Sequence, residues 1–487
     1  MPRNVAPPGG FASAAQRERP PRGFLTPASP SVSAGRNPSG SPRGREARRR
    51  DPAPKTRNDS TPRSHPDCGA PWGGTVRVSE QQPRIVILGA GHAGGSAAAF
   101  LRQYGWKGGI TLVGEEPVAP YQRPPLSKAW LKGEATAESL ALRPARFYAQ
   151  QAIELRLGTR VAAVDRAAKR VLLPDGSALG YDRLILALGA RPRELPLPGA
   201  QLRGVLALRN IADADAVQAA LRPGARLAVI GGGYIGLEAA ASARALGAEA
   251  VVIEREERVL ARVAGRALSA FLEDAHRARG VTVLTGAAVA SIEGEGGAAR
   301  AVRLADGTRI ACDAVLVGIG AVPNTELAQA AGLDCAGGVV VDLAARTSDP
   351  DIYAIGDCTH RPLPLYGRSG RLESVPNAIE QAKQAAADLC GRPPPLPEVP
   401  WFWSDQFDLR LQMAGLAFTA QESVVRGSTD GPGFAVFHLD AEHRVLAVEA
   451  VNAPADFMAG RILAAKQARI PPAVLGDAAR PLKDLTA

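Results

Sequence analysis

Long hydrophobic runs are missing from this sequence, and cysteines are few. No stretch of about 18 uncharged apolar residues occurs, so we predict no membrane-spanning helix and no membrane partner. The five cysteines are Cys68, Cys312, Cys335, Cys358 and Cys390. They form no CxxC pair, which argues against a disulfide scaffold, a zinc site and a redox-active dithiol of the CxxC type. We therefore expect no metal site and a reducing compartment, the cytoplasm.

The net charge of +10 is concentrated at one end of the 487-residue chain. Residues 1–80 contain 14 basic and six acidic side chains, so eight of the ten net charges lie there. The rest of the chain is close to neutral. Because the excess charge belongs to a tail, it does not indicate a nucleic-acid partner, and we expect none.

The same segment, residues 1–82, is predicted to be a disordered Arg/Pro-rich extension. Residues 1–80 hold 14 of the 40 prolines and almost no periodic apolar pattern, so they cannot bury enough surface to offset chain entropy. Three interpretations stay open: a mis-assigned start codon, a solvated tail, and a targeting or tethering arm. An Arg-rich composition suits a transit peptide, but the prolines oppose the amphipathic helix that such peptides need.

From Arg84 onward the pattern strand, glycine loop, helix, strand occurs twice. The first copy comprises Ile85–Leu88, the loop at 89–94, a helix to Tyr104 and the strand Ile110–Val113. The second comprises Leu227–Ile230, the loop at 231–236, a helix to Leu246 and the strand Ala250–Ile253. After a proline-rich linker at 393–395, alternating strands at 435–439 and 445–451 and a helical pattern near 459–468 predict a third folded part.

Both loops have the GxGxxG spacing of dinucleotide-binding loops. The first glycine makes the tight turn, the second lets the backbone approach a pyrophosphate, and the third allows close helix–strand packing. Glu115 and Glu254 follow the second strand of each copy, where a carboxylate accepts hydrogen bonds from ribose hydroxyls. Two copies predict two dinucleotides, and a nicotinamide hydride carrier with an electron-storing flavin is the natural pair.

The acid of the second copy bears on the choice of nicotinamide cofactor. A carboxylate at Glu254 repels a 2′-phosphate, which favours NADH over NADPH. Three arginines close by in the sequence leave NADPH open; they are Arg255, Arg258 and Arg262.

Six further segments carry a family resemblance. They are YQRPPLSK at 121–128, LILALGARP at 184–192, GIGAVPN at 318–324, IYAIGD at 352–357, ESVPNA at 373–378 and WFWSDQF at 401–407. In this order the chain resembles the FAD-dependent pyridine-nucleotide disulfide oxidoreductases over about residues 83–487. Within that fold it is most similar to the NADH-dependent ferredoxin and rubredoxin reductases of bacterial oxygenase and cytochrome P450 systems.

The resemblance implies an α/β fold with two Rossmann-like dinucleotide-binding domains, as in glutathione reductase, and a smaller α+β C-terminal domain. It implies a discontinuous FAD-binding domain at 83–195 and 317–398, an NAD-binding domain at 196–316 and a C-terminal reductase domain at 399–487.

Motifs and resemblance together assign residues to two cofactors, FAD and NADH. The predicted FAD-binding residues are Gly89, Gly91, Ala93, Gly94, Glu115, Arg123, Lys128, Val161, Gly189, Arg209, Asp357, Ser374, Val375 and Trp403. The predicted NAD-binding residues are Gly231, Gly233, Ile235, Gly236, Glu254 and Gly320. Lys128 and Glu238 are the predicted catalytic residues. The resemblance implies that Lys128 stabilises negative charge on the reduced flavin and that Glu238 pairs with it, so neither charge is buried alone.

Other positions carry finer expectations. Asp357 matches an acid that contacts the ribityl and phosphate region of FAD. Pro376 suits the first turn of a helix running to Leu389, and the resemblance places the positive end of that helix near the flavin. For Trp403, a place beside the flavin and nicotinamide and a place in the core are both open.

Disulfide reductases of this fold carry Cys-x4-Cys after the first helix and a His–Glu pair in the last domain. Residues 121–131 contain no cysteine, and we expect no His–Glu pair, because His438 and His443 fall in a β-hairpin pattern. Cys358 is predicted to be a small buried residue. His92, inside the first glycine loop, is predicted to pack outward without a catalytic role.

The predicted function is that of an NADH:ferredoxin oxidoreductase. Hydride passes from NADH to N5 of FAD, and single electrons then pass to a [2Fe–2S] ferredoxin, or to rubredoxin, that feeds an oxygenase or P450. A basic patch would steer such an acidic partner, and Arg410 is a candidate. An NADH oxidase, a monodehydroascorbate-type reductase and a flavoprotein resembling apoptosis-inducing factor remain as alternatives. We expect a monomer or homodimer.

Overall fold

The structure is a computed structural model, and it describes residues 82–486. The extension predicted to be disordered, residues 1–82, lies outside the described residues except for Gln82, and Cys68 lies outside them too.

The first half of the described chain contains sixteen strands and six α-helices. The strands are β1 (Arg84–Leu88), β2 (Gly109–Val113), β3 (Ile153–Arg156), β4 (Ala163–Asp165), β5 (Arg170–Leu172), β6 (Ala178–Gly180), β7 (Arg183–Leu186), β8 (Ala190–Pro192), β9 (Val205–Leu206), β10 (Arg226–Ile230), β11 (Glu249–Ile253), β12 (Val281–Leu284), β13 (Val289–Glu295), β14 (Ala298–Leu304), β15 (Arg309–Ala311) and β16 (Ala314–Val317). The helices are α1 (His92–Tyr104), α2 (Ala137–Leu140), α3 (Ala145–Gln150), α4 (Ile211–Ala220), α5 (Tyr234–Ala245) and α6 (Arg266–Ala278).

The second half adds ten strands and four α-helices. The strands are β17 (Ala321–Pro323), β18 (Val339–Val340), β19 (Ile352–Ala354), β20 (Thr359–Leu363), β21 (Arg368–Gly370), β22 (Trp401–Gln406), β23 (Leu409–Gly415), β24 (Glu422–Gly427), β25 (Phe434–Leu439) and β26 (Val445–Val451). The helices are α7 (Glu326–Ala330), α8 (Val375–Leu389), α9 (Pro454–Lys466) and α10 (Pro472–Gly476).

Two parallel five-stranded sheets form the centre of the fold. Their strand orders are β19-β7-β1-β2-β3 and β12-β11-β10-β16-β9. In each sheet the strand before a glycine loop lies in the middle and is almost wholly apolar and buried, as a strand covered on both faces must be. The carboxyl ends of β1 and β10 are therefore where a doubly wound sheet binds its ligand. Both predicted strand–loop–helix units are confirmed.

A third, antiparallel sheet follows the linker, in the order β22-β23-β26-β25-β24. One face packs on α9 through residues such as Phe437 and Val448. The other face shares a core with α5 and α6 through residues such as Leu411 and Val436. Together with the two parallel sheets, this confirms the predicted fold class.

Two predicted helices in this half are present with shifted starts. The helix α8 begins at Val375, with Pro376 among its first two residues and Ser374 as N-cap. The helix α9 begins at Pro454, five residues before the predicted start, because proline is favoured in the first turn. It ends at Lys466 and is followed by the C-cap residue Gln467, which has a φ of +46°.

Candidate active site

In the first glycine loop, packing requires glycine at the first and last positions but not at the middle one. Gly89 has a φ of +111°, and a Cβ there would lie 2.1 Å from the carbonyl oxygen of Ala187. A Cβ on Gly94 would lie 1.9 Å from the carbonyl oxygen of Gly89, so α1 and β1 pack too closely for a side chain. A Cβ on Gly91 would lie more than 4 Å from every described residue other than its chain neighbours. Packing within the protein therefore explains why Gly89 and Gly94 are glycines, but it does not explain why Gly91 is one.

The second loop repeats this division. Gly231 has a φ of +106°, and a Cβ there would lie 2.5 Å from the carbonyl oxygen of Gly318. A Cβ on Gly236 would lie 2.4 Å from the carbonyl oxygen of Gly231. At Gly233 the nearest atom would be 3.9 Å away. The middle glycine is the one whose backbone approaches a pyrophosphate in a dinucleotide site.

Both loops open on one cavity of about 2640 Å³. Pockets for single small ligands measure about 300–1,000 Å³, so this cavity has room for two extended dinucleotides. Neither α1 nor α5 has a side-chain N-cap, which leaves backbone N–H groups at both helix starts for an anion. These features fit FAD at the first loop and NAD(P)H at the second.

Most of the predicted cofactor and catalytic residues line this cavity. They are Gly89, Gly91, Ala93, Glu115, Arg123, Lys128, Val161, Gly189, Arg209, Gly233, Ile235, Glu238, Gly320, Asp357, Ser374, Val375 and Trp403. Four others are not among the lining residues. Gly94, Gly231 and Gly236 have the turn and packing roles given above, and Glu254 is hydrogen-bonded to the second loop.

The two predicted ribose-binding acids have different environments. Glu254 accepts the N–H of Gly232 at 2.6 Å through Oε2 and the N–H of Glu256 at 2.9 Å through Oε1. It therefore holds its loop together, and each oxygen keeps a second lone pair for a ribose hydroxyl. Glu115, with a side chain 72% exposed, forms a 3.7 Å ion pair with Arg160.

A buried ion pair lines the cavity that the two loops share. The ammonium of Lys128 is 2.8 Å from Oε2 of Glu238, and their side chains are only 17% and 6% exposed. Lys128 directly follows a 3₁₀ turn, Pro124–Ser127, and also donates to the carbonyl oxygen of Pro124. The hydroxyls of Ser127 and Ser404 donate to the two oxygens of Glu238, each at 2.5 Å. The carboxylate is thus held by three donors.

Asp357 and the start of α8 also line the cavity. Asp357 lies in a 3₁₀ turn, Gly356–Cys358, and accepts a hydrogen bond from Arg209 at 3.0 Å. Ser374 caps α8 by accepting the N–H of Asn377. The 15-residue helix thus directs the positive end of its dipole at the cavity.

The predicted orientation of His92 is wrong, because this residue lines the cavity. It is the first residue of α1, and side chains at a helix start lean toward the N-terminal end, which here opens on the cavity. Burial, together with the charges of Arg123 and Arg209, lowers the pKa of His92 to about 4. Its imidazole is therefore neutral near pH 7 in the cofactor-free chain.

Aromatic rings complete the wall near the ion pair. Trp403 lines the cavity and is partly exposed, with its ring centroid 5.8 Å from that of Trp401. Tyr234 and Phe402 also line it and meet edge to face at 4.9 Å. The buried hydroxyl of Tyr234 has no hydrogen-bond partner among residues 82–486, and burial raises its pKa well above 10. Our sequence reasoning did not identify Tyr234, although it lies inside the second glycine loop.

The C-terminal sheet contains a His–Glu pair, so the expectation of none is wrong. Nε2 of His438 lies 3.1 Å from Oε2 of Glu449, although the two atoms are not aligned for a hydrogen bond. Nδ1 of His438 is 2.9 Å from the hydroxyl of Ser423, and Glu449 accepts the N–H of Gly265. The pair is formed across neighbouring antiparallel strands, which the search for a local motif could not detect.

The four cysteines of the described residues form no disulfide with one another. Cys312, Cys335, Cys358 and Cys390 are free. Cys358 is fully buried, as predicted, and burial raises its pKa to about 11. Within residues 82–486, no group of three or more His, Cys, Asp or Glu side chains could hold a metal ion. The same part of the chain contains no helix long and apolar enough to span a membrane.

Arg410 is exposed, but it is not among the residues that line the cavity. It pairs across the β22–β23 ladder with Asp405. Asp408, in the turn between these strands, binds Arg279 at 2.5 Å. Acidic side chains therefore flank Arg410, and the structure shows no basic patch at this hairpin.

Comparison with known proteins places this geometry in a family. Residues 83–382 match the family described as pyridine nucleotide-disulphide oxidoreductase, and residues 401–486 match the one described as reductase C-terminal. The chain is 55% identical over 379 residues to a probable ferredoxin reductase of Castellaniella defragrans, covering 78% of this chain and 92% of that protein. It is 46% identical over 408 residues to putidaredoxin reductase of Pseudomonas putida, covering 83% and 96%.

A solved structure shows the same architecture. The reductase in the covalent putidaredoxin reductase–putidaredoxin complex superposes with a TM-score of 0.81 at 45% identity, covering 83% of this chain and 98% of that one. The described geometry and these matches agree: this chain belongs to the pyridine nucleotide-disulphide oxidoreductase family and is a flavoprotein oxidoreductase that uses FAD and NAD(P)H.

Proposed function

We propose that this protein is an FAD-dependent NADH:ferredoxin reductase that delivers electrons to a small [2Fe–2S] protein serving an oxygenase or P450. One observation carries the proposal: two dinucleotide loops open on a single cavity, and the buried Lys128–Glu238 pair lines that same cavity. The relatives named above are described as reductases of ferredoxin and putidaredoxin, which supports the same class of acceptor.

The residues of this chain position the two cofactors and set the charge around the flavin, and none of them is itself a reacting group. When bound, FAD stores two electrons taken as hydride from the nicotinamide and releases them singly. Lys128 holds a positive charge at the cavity wall, where it would stabilise negative charge on a reduced ring. Glu238 keeps that ammonium in place. We also propose that the cavity-lining residues assigned above bind the two dinucleotides as predicted.

Two features favour NADH over NADPH. Glu254 directly follows β11 and is hydrogen-bonded to the second loop, so its negative charge disfavours a 2′-phosphate at that loop. Arg258 donates to the carbonyl oxygens of Ala261 and Ala264 and to Ser269, so its guanidinium is occupied by its own loop. Arg255 pairs with Glu256 at 2.9 Å. Three arginines follow Glu254 closely in the sequence. Among the described residues, Arg262 is the one of these three that lines the cavity and makes no hydrogen bond or ion pair.

The remaining assignments are proposals of the same kind. The sheets support an FAD-binding domain at 83–195 and 317–398, an NAD-binding domain at 196–316 and a C-terminal domain at 399–487. Strand β16 extends one residue past the boundary at 316. Free cysteines in the described chain fit the reducing cytoplasm.

The deciding experiment is cytochrome c reduction by NADH, with and without an added [2Fe–2S] ferredoxin, repeated with NADPH. We expect strong dependence on ferredoxin and a clear preference for NADH. Fast NADH consumption that ignores ferredoxin and draws down oxygen would identify an oxidase instead. Equal rates with NADPH would contradict the role given to Glu254.

A further inference from the structure

Polar side chains interrupt the apolar face that the C-terminal sheet turns toward α5 and α6. This face contributes Leu411, Met413, Phe434, Val436 and Val451 to a core shared with both helices. Ser404 and Gln406 lie within it and are only 0% and 1% exposed. A buried polar group stabilises a core only when it is fully hydrogen-bonded, so their partners explain their presence.

These side chains form a continuous hydrogen-bonded chain. Nε2 of His276, on α6, lies 2.8 Å from Oε1 of Gln406. Nε2 of Gln406 donates to the hydroxyl of Ser404 at 3.1 Å. That hydroxyl donates to Oε1 of Glu238 at 2.5 Å, and Oε2 of Glu238 receives Lys128. The chain crosses three elements and ends at the cavity.

The chemistry of the groups fixes the direction of every bond. An ionised Glu238 can only accept, so Ser404 must donate to it. The Ser404 oxygen then accepts from the amide NH₂ of Gln406, whose carbonyl must accept from His276. Burial lowers the pKa of His276, which favours its neutral form, and the bond to the Gln406 carbonyl then requires the proton to be on Nε2. All donors therefore point toward the one carboxylate, an arrangement in which each bond polarises the next.

We infer that Ser404 and Gln406 are positioning residues for hydride transfer, acting through Glu238 to hold the ammonium of Lys128 at the cavity wall. The inference rests on the proposed function, because it assigns the C-terminal sheet a role in the NADH half-reaction. Ser404 does not itself line the cavity, so it acts through its hydrogen bond to Glu238.

The test uses the FAD-containing protein and follows flavin reduction by NADH in an anaerobic stopped-flow instrument. Ser404→Ala removes one donor to a charged acceptor, and we expect hydride transfer to slow about tenfold. The dissociation constant for NADH should change less than twofold, because no cavity-lining group is altered. Gln406→Leu should slow the same step, and the double variant should be no slower than Ser404→Ala alone, because both act along one chain.

Leu411→Val is the matched packing control. Leu411 faces Ser404 across the β22–β23 ladder, is fully buried and bears no polar group. It should lower stability without slowing flavin reduction. A second readout is independent of activity: labelling of Lys128 by an amine-reactive reagent, followed by mass spectrometry. We expect labelling at least threefold faster in Ser404→Ala, because a loosened Glu238 releases Lys128, and unchanged in Leu411→Val.

Several results would overturn the inference. Flavin reduction and Lys128 labelling at wild-type rates in Ser404→Ala would do so, as would additive losses in the double variant or an equal loss in Leu411→Val. If NADH fails to reduce the flavin of the wild-type protein, the proposed function itself is wrong. Normal reduction in the wild type with no change in Ser404→Ala refutes only the positioning role.

Discussion

At the residue scale, Lys128 and Glu238 depend on each other. Removing one partner of a buried ion pair leaves an uncompensated charge and destabilises a protein by about 3–5 kcal/mol. Lys128→Met would leave Glu238 with only two hydroxyl donors and no counter-charge. Since Lys128 is partly exposed, we expect the lower end, a loss of about 3 kcal/mol in the free energy of unfolding. Urea denaturation measures this loss.

A second substitution separates stability from catalysis at this pair. Lys128→Met combined with Glu238→Gln removes the unpaired charge, so most of the lost unfolding free energy should return. Flavin reduction by NADH should stay slow, because the positive charge at the cavity wall is still missing. A double variant that regained the wild-type reduction rate would show that the ammonium has no part in hydride transfer.

His92 predicts a pH effect that belongs to the cofactor-free chain. Its pKa is about 4 when folded, below the usual 6.5. Between those values the unfolded chain binds a proton that the folded chain does not, so the free energy of unfolding falls as the pH falls from 6.5 to 4. The contribution is about 3 kcal/mol in total.

His92→Asn should remove this part of the pH dependence. Urea denaturation of the flavin-free protein at several pH values would measure it, because a bound pyrophosphate would raise the pKa of His92. The variant should show the shallower dependence on pH between 6.5 and 4. Identical slopes in the two proteins would mean that His92 is not held neutral by its surroundings.

At the element scale, replacing a glycine by alanine should have one of two different effects in each loop, depending on which glycine is replaced. Gly94→Ala places a methyl group 1.9 Å from a backbone oxygen, so α1 cannot pack on β1 and the protein should fail to fold. Gly91→Ala places its methyl group more than 4 Å from every described residue other than its chain neighbours, and it should fold with a wild-type urea midpoint when flavin is absent. Its FAD affinity, measured by fluorescence titration, should fall at least tenfold, because the methyl group lies where the pyrophosphate approaches.

The second loop is the internal comparison for that prediction. Gly233→Ala should weaken NADH binding and leave FAD binding unchanged, while Gly236→Ala, 2.4 Å from a backbone oxygen, should disrupt folding. Tight FAD binding by Gly91→Ala would contradict the assignment of the first loop to the flavin.

The elements that could be predicted from sequence are those whose signals are local. A buried strand, a glycine turn and a helix lie within about 20 residues, so their spacing alone defines both dinucleotide loops. The His438–Glu449 pair and the chain from Glu238 to His276 depend on which strand lies beside which helix. Residues far apart in sequence meet there, and no local period records the contact. The prediction for His92 was wrong for another reason: the direction of its side chain depends on the cavity at the start of α1.

At the scale of the whole molecule, the two faces of the C-terminal sheet pack against different helices. One packs on α9, and the other packs on α5 and α6, where it meets Glu238. Partners of opposite charge are steered by fields that extend across a surface. Arg410 fails as the centre of such a field, because Asp405 and Asp408 flank it. A basic residue at the cavity rim is the better candidate for docking an acidic acceptor.

Arg368 is the candidate next to that rim, because it contacts a residue that lines the cavity although it does not line the cavity itself. It is exposed, and its guanidinium lies 4.1 Å from the ring centroid of Phe418, which is 55% exposed and lines the cavity. Charge reversal by Arg368→Glu should slow ferredoxin-dependent cytochrome c reduction about tenfold at low salt, and less at high salt, because salt screens the steering field. Arg410→Glu is the matched control and should stay near wild type, and NADH-driven ferricyanide reduction should be unchanged in both. Equal losses in the two variants would show that the acceptor responds to net charge alone and docks at neither site.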